Sequence, residues 1–248
     1  MPFNFESVNA LDYDELRPSY AADAVAWVYE RARLGANAAV VDLAAGTGQL
    51  AKGFVALGVR VIAVEPATNM RSVLESNLPS VRVVDGTAER IPLGDATADA
   101  VVVGNAFHHF DVEAAFAELR RVIRPGGALA LFWADADADG VLGPIARAVD
   151  RVVERARVSA SIIRADRRWP EPPERIEGFT PFERRSFGTT QAIDPSRLAD
   201  LFATSSDVAS LPPPNRDALL ERIRTLASDY PSRLTLIGRS DVLLCFRA

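Results

Sequence analysis

Cysteine is almost missing from this chain: 248 residues include one, Cys245, inside the apolar run Val242–Phe246. A lone thiol closes no internal disulfide, and its setting reads as a buried strand position. Histidine is nearly as scarce, with only the adjacent pair His108 and His109, and no metal-ligand spacing or nucleophilic triad is present. No apolar run approaches the ~20 residues that span a bilayer. Basic residues occur as short pairs, Arg120–Arg121, Arg167–Arg168 and Arg184–Arg185, within a chain of net charge −5. That balance argues against a phosphate backbone as the main partner. Met1–Asp14 mixes acids and polar residues with its apolar ones, unlike a signal peptide. The expectation is a cytoplasmic protein with neither membrane nor nucleic-acid partner, its oligomeric state left open.

What is present is an alternation of strands and helices. Ala38–Leu43, Val59–Val64, Val81–Val84, Ala98–Val103 and Ala128–Trp133 are short apolar runs that read as buried strands. Helical spacing separates them, in Ala21–Arg33, around Leu50, Phe54 and Leu57, in Asn69–Asn77 and in Glu113–Val122. Such alternation implies an α/β fold, a doubly wound and mostly parallel sheet with helices on both faces. The pattern changes at Asp135–Asp139, too polar for a core strand. Beyond it come a helix over Val141–Val158, a proline-rich stretch at Trp169–Pro173, a strand over Phe179–Phe187, helices over Pro195–Ala203 and Asn215–Ser228 and a strand within Arg233–Arg247. The chain therefore divides into an N-terminal cap region (1–35), a core (36–134), a helical lid insertion (135–178) and C-terminal strands and helices (179–248), all in one domain.

The segment Val40–Gly48 ends the first strand and opens a helix through a glycine turn. Glycines let backbone approach a ligand, and a helix N-terminus offers free N–H groups. Asp42, ahead of the glycines, would repel a pyrophosphate and suits a cationic amino group; its plainer reading is a helix-capping acid. The turn also lacks the G-x-G-x-x-G spacing of dinucleotide enzymes. Glu65, at the end of the second strand, is placed to accept hydrogen bonds from both hydroxyls of a ribose, or is simply a solvated strand-end acid. S-adenosylmethionine, an adenosine with a cationic amino-acid end, satisfies both acids.

With these residues the chain resembles the class I S-adenosylmethionine-dependent methyltransferases. Val61–Met70 looks like the family's second motif, Asp85–Leu93 its adenine-side loop, and Leu119–Leu129 the turn before the fifth strand. Tyr13–Tyr20, with Arg17–Pro18–Ser19–Tyr20, resembles the small-molecule branch that includes trans-aconitate methyltransferases. The resemblance implies a seven-stranded sheet whose last strand is antiparallel and pairs with Phe179–Phe187. It puts Asp42 near the methionine amino group, with Gly46 and Gly48 beneath the methionine and Ala44, where many relatives have glycine, beside it. Glu65 would hold the ribose, Pro66 and Met70 line the adenine, and the backbone at Thr87 and Ala88 edge it. Many relatives have an acid at Thr87; its hydroxyl, or Asp85, would stand in. Asn105 and Ala106 would touch the methionine side and Tyr20 close over the cofactor.

Methyl transfer needs positioning more than side-chain chemistry. A base is required only where the acceptor must lose a proton. His108 and His109 come after the fourth strand on the ligand side of the sheet, so either suits that role, His108 first; packing or capping of the next helix is the plainer role. Trp133, Trp169, Arg164, Arg167 and Arg168 are candidates for an acceptor pocket, or for an ordinary surface helix. The reading is transfer of a methyl group to a small molecule, a hydroxyl slightly ahead of a carboxylate. A non-catalytic cofactor-binding protein and a nicotinamide oxidoreductase on the same fold are the competitors.

Overall fold

A computed structural model of the chain describes residues 5–136, 141–159 and 176–248. The elements run α1 (Ala10–Leu16), α2 (Ala22–Arg31), β1 (Ala39–Leu43), α3 (Gln49–Ala56), β2 (Arg60–Val64), α4 (Thr68–Asn77), β3 (Arg82–Val84), β4 (Ala98–Gly104), α5 (Val112–Val122) and β5 (Ile123–Ala136). They continue with α6 (Gly143–Ser159), β6 (Glu183–Ile193), α7 (Leu198–Ala203), α8 (Ser206–Ala209), α9 (Pro213–Ala227) and β7 (Leu234–Phe246). The seven strands form one sheet in the order β3-β2-β1-β4-β5-β7-β6. The first five are parallel; β7 runs antiparallel to β5, and β6 antiparallel to β7.

Side chains alternate between the two faces of a strand, and both faces here are apolar. Val40, Val61, Ala63 and Val102 pack with Val25, Phe54 and Leu74 from α2, α3 and α4. Val41, Leu43, Ile62 and Val101 pack with Phe116 and Leu119 of α5. This double burial is why the strands read as continuous apolar runs instead of alternating ones. A third cluster joins α6, α7 and α9 through Ile145, Val149, Leu198, Leu219 and Ile223.

Besides the short α8, which the sequence did not predict, three elements differ from the sequence expectation. The strand β6 begins four residues later than Phe179 and runs on to Ile193. Phe179 makes only an isolated bridge, to Arg247, and Pro181 has no N–H to donate. Beyond Phe187, Gly188–Ile193 stay in the strand because β7 supplies a partner as far as Leu234. Likewise β5 takes in both the expected turn at Pro125–Gly127 and polar Asp135, since β7 pairs with it out to Ala136; Gly126, with φ +74°, absorbs the irregularity. Helix α1 was not expected. Its N-cap is Asn9, whose side chain accepts hydrogen bonds from the Leu11 and Asp12 amides, a local device that replaces apolar periodicity.

Among the described residues, no helix is long and apolar enough to cross a membrane.

Candidate active site

Strand order reverses between β1 and β4, and ligands of doubly wound sheets bind outside the carboxyl ends of the strands at such a point. A cavity of about 1020 Å³ opens there, at the upper end of the ~300–1,000 Å³ usual for small-molecule sites. The turn after β1 contributes Ala44 and Gly46, the end of β2 Glu65, Pro66 and Ala67, and α4 contributes Met70. Thr87 and Ala88 line it after β3, and Asn105, Ala106, His108 and His109 after β4. A small recess beside it is lined by Arg17, Tyr20, Asp42 and Gln49, and shares Tyr13, Ala44, Gly46, Gly104 and Asn105 with the main cavity.

Glu65 ties two of these segments together. Its Oε2 accepts from the Gly46 N–H at 2.8 Å and its Oε1 from the Ala67 N–H at 2.9 Å. Burial pushes its pKa up, and the two amides partly oppose that. Each oxygen keeps a further lone pair for a ligand hydroxyl.

Asp42 is the more unusual acid. It lies on the α3 side of β1, 1% exposed, and neither carboxylate oxygen has a hydrogen-bond partner among the described residues. Burial raises its pKa to about 7, the negative charge of Glu65 adds to the shift, and the nearby Ala51 amide opposes it. Buried polar atoms are nearly always paired, so an orphan at a cavity wall marks a place for a donor from outside the chain.

The chain bends sharply around the cavity. Ala44 (φ +56°), Gly46 (φ +56°) and Asn105 (φ +49°) all occupy the left-handed region, a conformation that side chains other than Asn and Asp resist. Ala44 holds it without glycine's freedom, and such strain concentrates at functional sites. The Asn105 amide is spent on the Ala134 backbone, accepting from its N–H at 2.9 Å and donating to its carbonyl at 3.2 Å.

Gly48 lines neither the cavity nor the recess. It is the N-cap of α3 with φ +85°, and a Cβ on it would lie 2.9 Å from Leu74 Cγ and 3.0 Å from Leu78 Cδ1. Its glycine requirement comes from packing against α4. Gly48→Ala is expected to cost about 2–3 kcal/mol through the left-handed backbone and the overlap, lowering the thermal midpoint by ~5–10 °C. A calorimetric midpoint within about a degree of wild type would remove this packing role.

Tyr20 covers Gly104 edge-on to Phe132, its ring 5.8 Å away, and a Cβ at Gly104 would collide with its hydroxyl. Asp85 pairs with Arg71 at 3.2 Å and does not line the cavity, whereas Thr87 does. Trp133 is buried in the core cluster under α5 and lines neither space. Trp169, Arg164, Arg167 and Arg168 lie outside the described residues. No described residue of α6 faces the cavity. Its cover comes instead from Phe5, Glu6 and Tyr13 at the N-terminal end and from Ser206, Asp207 and Ser210 in and after α8. Sequence reasoning singled out Tyr13 only as part of the Tyr13–Tyr20 segment and missed the other five. A local signal existed only for α1, in the Asn9–Asp12 spacing.

Fold and site together define a doubly wound α/β protein with a large small-molecule cavity at its switch point. Comparison with known proteins narrows this. Residues 41–131 match the family model described as a methyltransferase domain. Methyltransferases of Mycobacterium bovis and Mycobacterium tuberculosis are each 35% identical over 239 residues, covering 95% of this chain and 91% of theirs. The solved structure of a type II methyltransferase from Anaeromyxobacter dehalogenans superposes with a TM-score of 0.63 at 23% identity, covering 93% of this chain and 97% of that one. The chain belongs to the class I S-adenosylmethionine-dependent methyltransferases and is a methyltransferase enzyme.

Proposed function

We propose that the protein transfers a methyl group from S-adenosylmethionine to a hydroxyl group of a small molecule. The orphaned Asp42 carboxylate carries this reading of the donor: a buried acid without a partner, beside a glycine turn, fits a ligand that brings its own cation. Glu65 receives the ribose, with Pro66, Met70 and Ala88 as apolar walls for the adenine. The cofactor's sulfonium supplies an activated methyl group. The chain holds the acceptor in line, excludes water beneath the N-terminal segment and α8, and takes up a proton at His108 or His109. The non-catalytic and nicotinamide readings have no comparable support.

Charge favours a hydroxyl acceptor over a carboxylate. The described lining of the main cavity holds Glu6, Glu89, Asp111 and Asp207 besides Glu65, and neither lysine nor arginine. A carboxylate of the trans-aconitate kind would meet that wall without a counter-ion. Of the expected lid insertion 135–178, residues 137–140 and 160–175 lie outside the described residues.

The experiment for the donor is calorimetric titration of Glu65→Gln and Glu65→Ala. Charge-assisted hydrogen bonds contribute ~1.5–3 kcal/mol, so Glu65→Ala should bind S-adenosylmethionine ~10–100-fold more weakly. Glu65→Gln, which keeps one acceptor oxygen, should fall between. Unchanged dissociation constants in both would sink the assignment of Glu65.

A further inference from the structure

The loop after β3, residues 85–97, carries Gly86, Thr87, Ala88 and Glu89 to the cavity and contains no helix or strand. Its internal backbone bonds are short-range, between Thr87 and Arg90 and from Leu93 to Ile91. A loop of this kind is held by groups outside it. Here that is one side-chain pair on α5. Arg121 donates from Nη1 to the Leu93 carbonyl at 2.7 Å and from Nη2 to the Ile91 carbonyl at 2.9 Å. Its Nε and Nη2 also donate to the two oxygens of Glu118, at 2.7 and 2.8 Å. Glu118 Oε2 in turn accepts from the Ile91 N–H at 2.8 Å. The pair therefore takes both backbone groups of Ile91 and the carbonyl of Leu93, and Arg121 holds the Glu118 carboxyl below its ordinary range. Pro92, between the two gripped carbonyls, lies against Gly86, where a Cβ would come within 2.5 Å of the proline Cδ and 3.0 Å of Val64 Cγ1. The grip on 91–93 thus reaches the start of the cavity wall. Helix α5 holds the loop a second time through its N-cap, where the Asp111 N–H donates to Glu89 at 3.0 Å. Neither Glu118 nor Arg121 belongs to the described lining of the cavity.

We propose that Glu118 and Arg121 are positioning residues for the cofactor's base: they fix the backbone of Ile91 and Leu93 and, through Pro92 and Gly86, set the adenine-side wall before a ligand arrives. The proposal rests on S-adenosylmethionine as the donor, with its adenine against this loop. A planar guanidinium with five donors bridges two carbonyls and a carboxylate at once, which a lysine cannot reproduce. A wall arranged in advance spares the ligand the cost of ordering the loop.

The test titrates S-adenosylmethionine and methylthioadenosine, which share the adenosine and differ at the amino-acid end, into wild type, Arg121→Gln and Arg121→Lys. Arg124→Gln is the control. Its pair with Asp99 stands at the amino end of the sheet, where Asp99 also accepts from the Ala39 N–H, away from the cavity. Arg121→Gln should weaken both ligands alike by ~10-fold, Arg121→Lys by ~3-fold, and Arg124→Gln should bind both as wild type does. Should Arg121→Gln not fold, Arg121→Lys decides by the same comparison. Dissociation constants equal to wild type overturn the positioning role and leave the donor reading intact. So does a loss confined to S-adenosylmethionine, which belongs to its amino-acid end, or an equal loss in Arg124→Gln, which belongs to stability. Wild-type protein that binds neither ligand overturns the donor reading and the positioning role together.

Discussion

Asp42→Asn is expected to lose ~10²–10³-fold in affinity for S-adenosylmethionine and to make the free protein's stability less sensitive to pH. Removing one partner of a buried charge pair costs about 3–5 kcal/mol, which sets the affinity loss. S-adenosylhomocysteine should suffer alike, because it keeps the amino group, and methylthioadenosine much less, because it lacks the amino-acid end. The pH dependence comes from the raised pKa of about 7 against an ordinary value of 3.8. The folded free protein binds a proton at Asp42 that the unfolded chain has already released. That contribution to stability is complete below pH 3.8 and is lost as pH rises through 7, at up to ~1.4 kcal/mol per pH unit. Wild-type midpoints should therefore fall between pH 5 and 7 relative to those of Asp42→Asn. Ligand affinity moves the other way. The ammonium stays protonated over this range and requires the carboxylate, so wild-type binding should tighten by up to ~10-fold per unit towards pH 7. Parallel midpoint curves for the two proteins, with a pH-independent dissociation constant in wild type, would show that Asp42 carries no displaced proton.

His108→Ala should cut methylation of a hydroxyl acceptor by ~10²–10⁴, the usual range for a general base, and leave S-adenosylmethionine affinity unchanged. A carboxylate acceptor, already ionised, should be methylated within a few-fold of wild type. The turn Phe107–His109 brings both imidazoles to the cavity, their ring centres 3.9 Å apart. His109 packs edge-on against Phe5 at 5.4 Å, which gives it a share in the cavity cover and makes His108 the better base. A screen of phenols, alcohols and carboxylic acids with labelled cofactor supplies the acceptors, and the two variants are then run on each. Full turnover of a hydroxyl compound by both His108→Ala and His109→Ala would end the base assignment.

The strand-end wall of the cavity and of the recess beside it was legible in the sequence because its residues follow buried strands. A buried parallel strand is a short apolar run, and the residues just after it stand at the carboxyl edge of the sheet, so Asp42, Gly46, Glu65, Thr87 and Asn105 could be placed by counting. Gly48 resisted the same logic. Two residues from Gly46 in the same turn, it points its missing Cβ at Leu74 and Leu78, and no local pattern separates a glycine needed by a ligand from one needed by a neighbouring helix. Trp133 misled for a related reason. An aromatic at the end of a strand can face a pocket or the core, and the packing of α5 over β5 decided for the core.

The sequence by itself determined the parallel core, the glycine turn and the two acids, since strand periodicity and helix-start chemistry act over a few residues. Only the tertiary structure decided what covers the cavity and which charges meet in it. Phe5, Glu6 and Tyr13 reach the same opening as Ser206, Asp207 and Ser210, across nearly two hundred residues of chain. Arg17 faces the recess of Asp42 because α1 is fastened to α3, α7 and β6 by hydrogen bonds from Arg17, Gln49 and Gln191. Such contacts depend on how helices dock on a finished sheet, and docking is set by the summed packing of residues far apart in the chain, which no local spacing encodes.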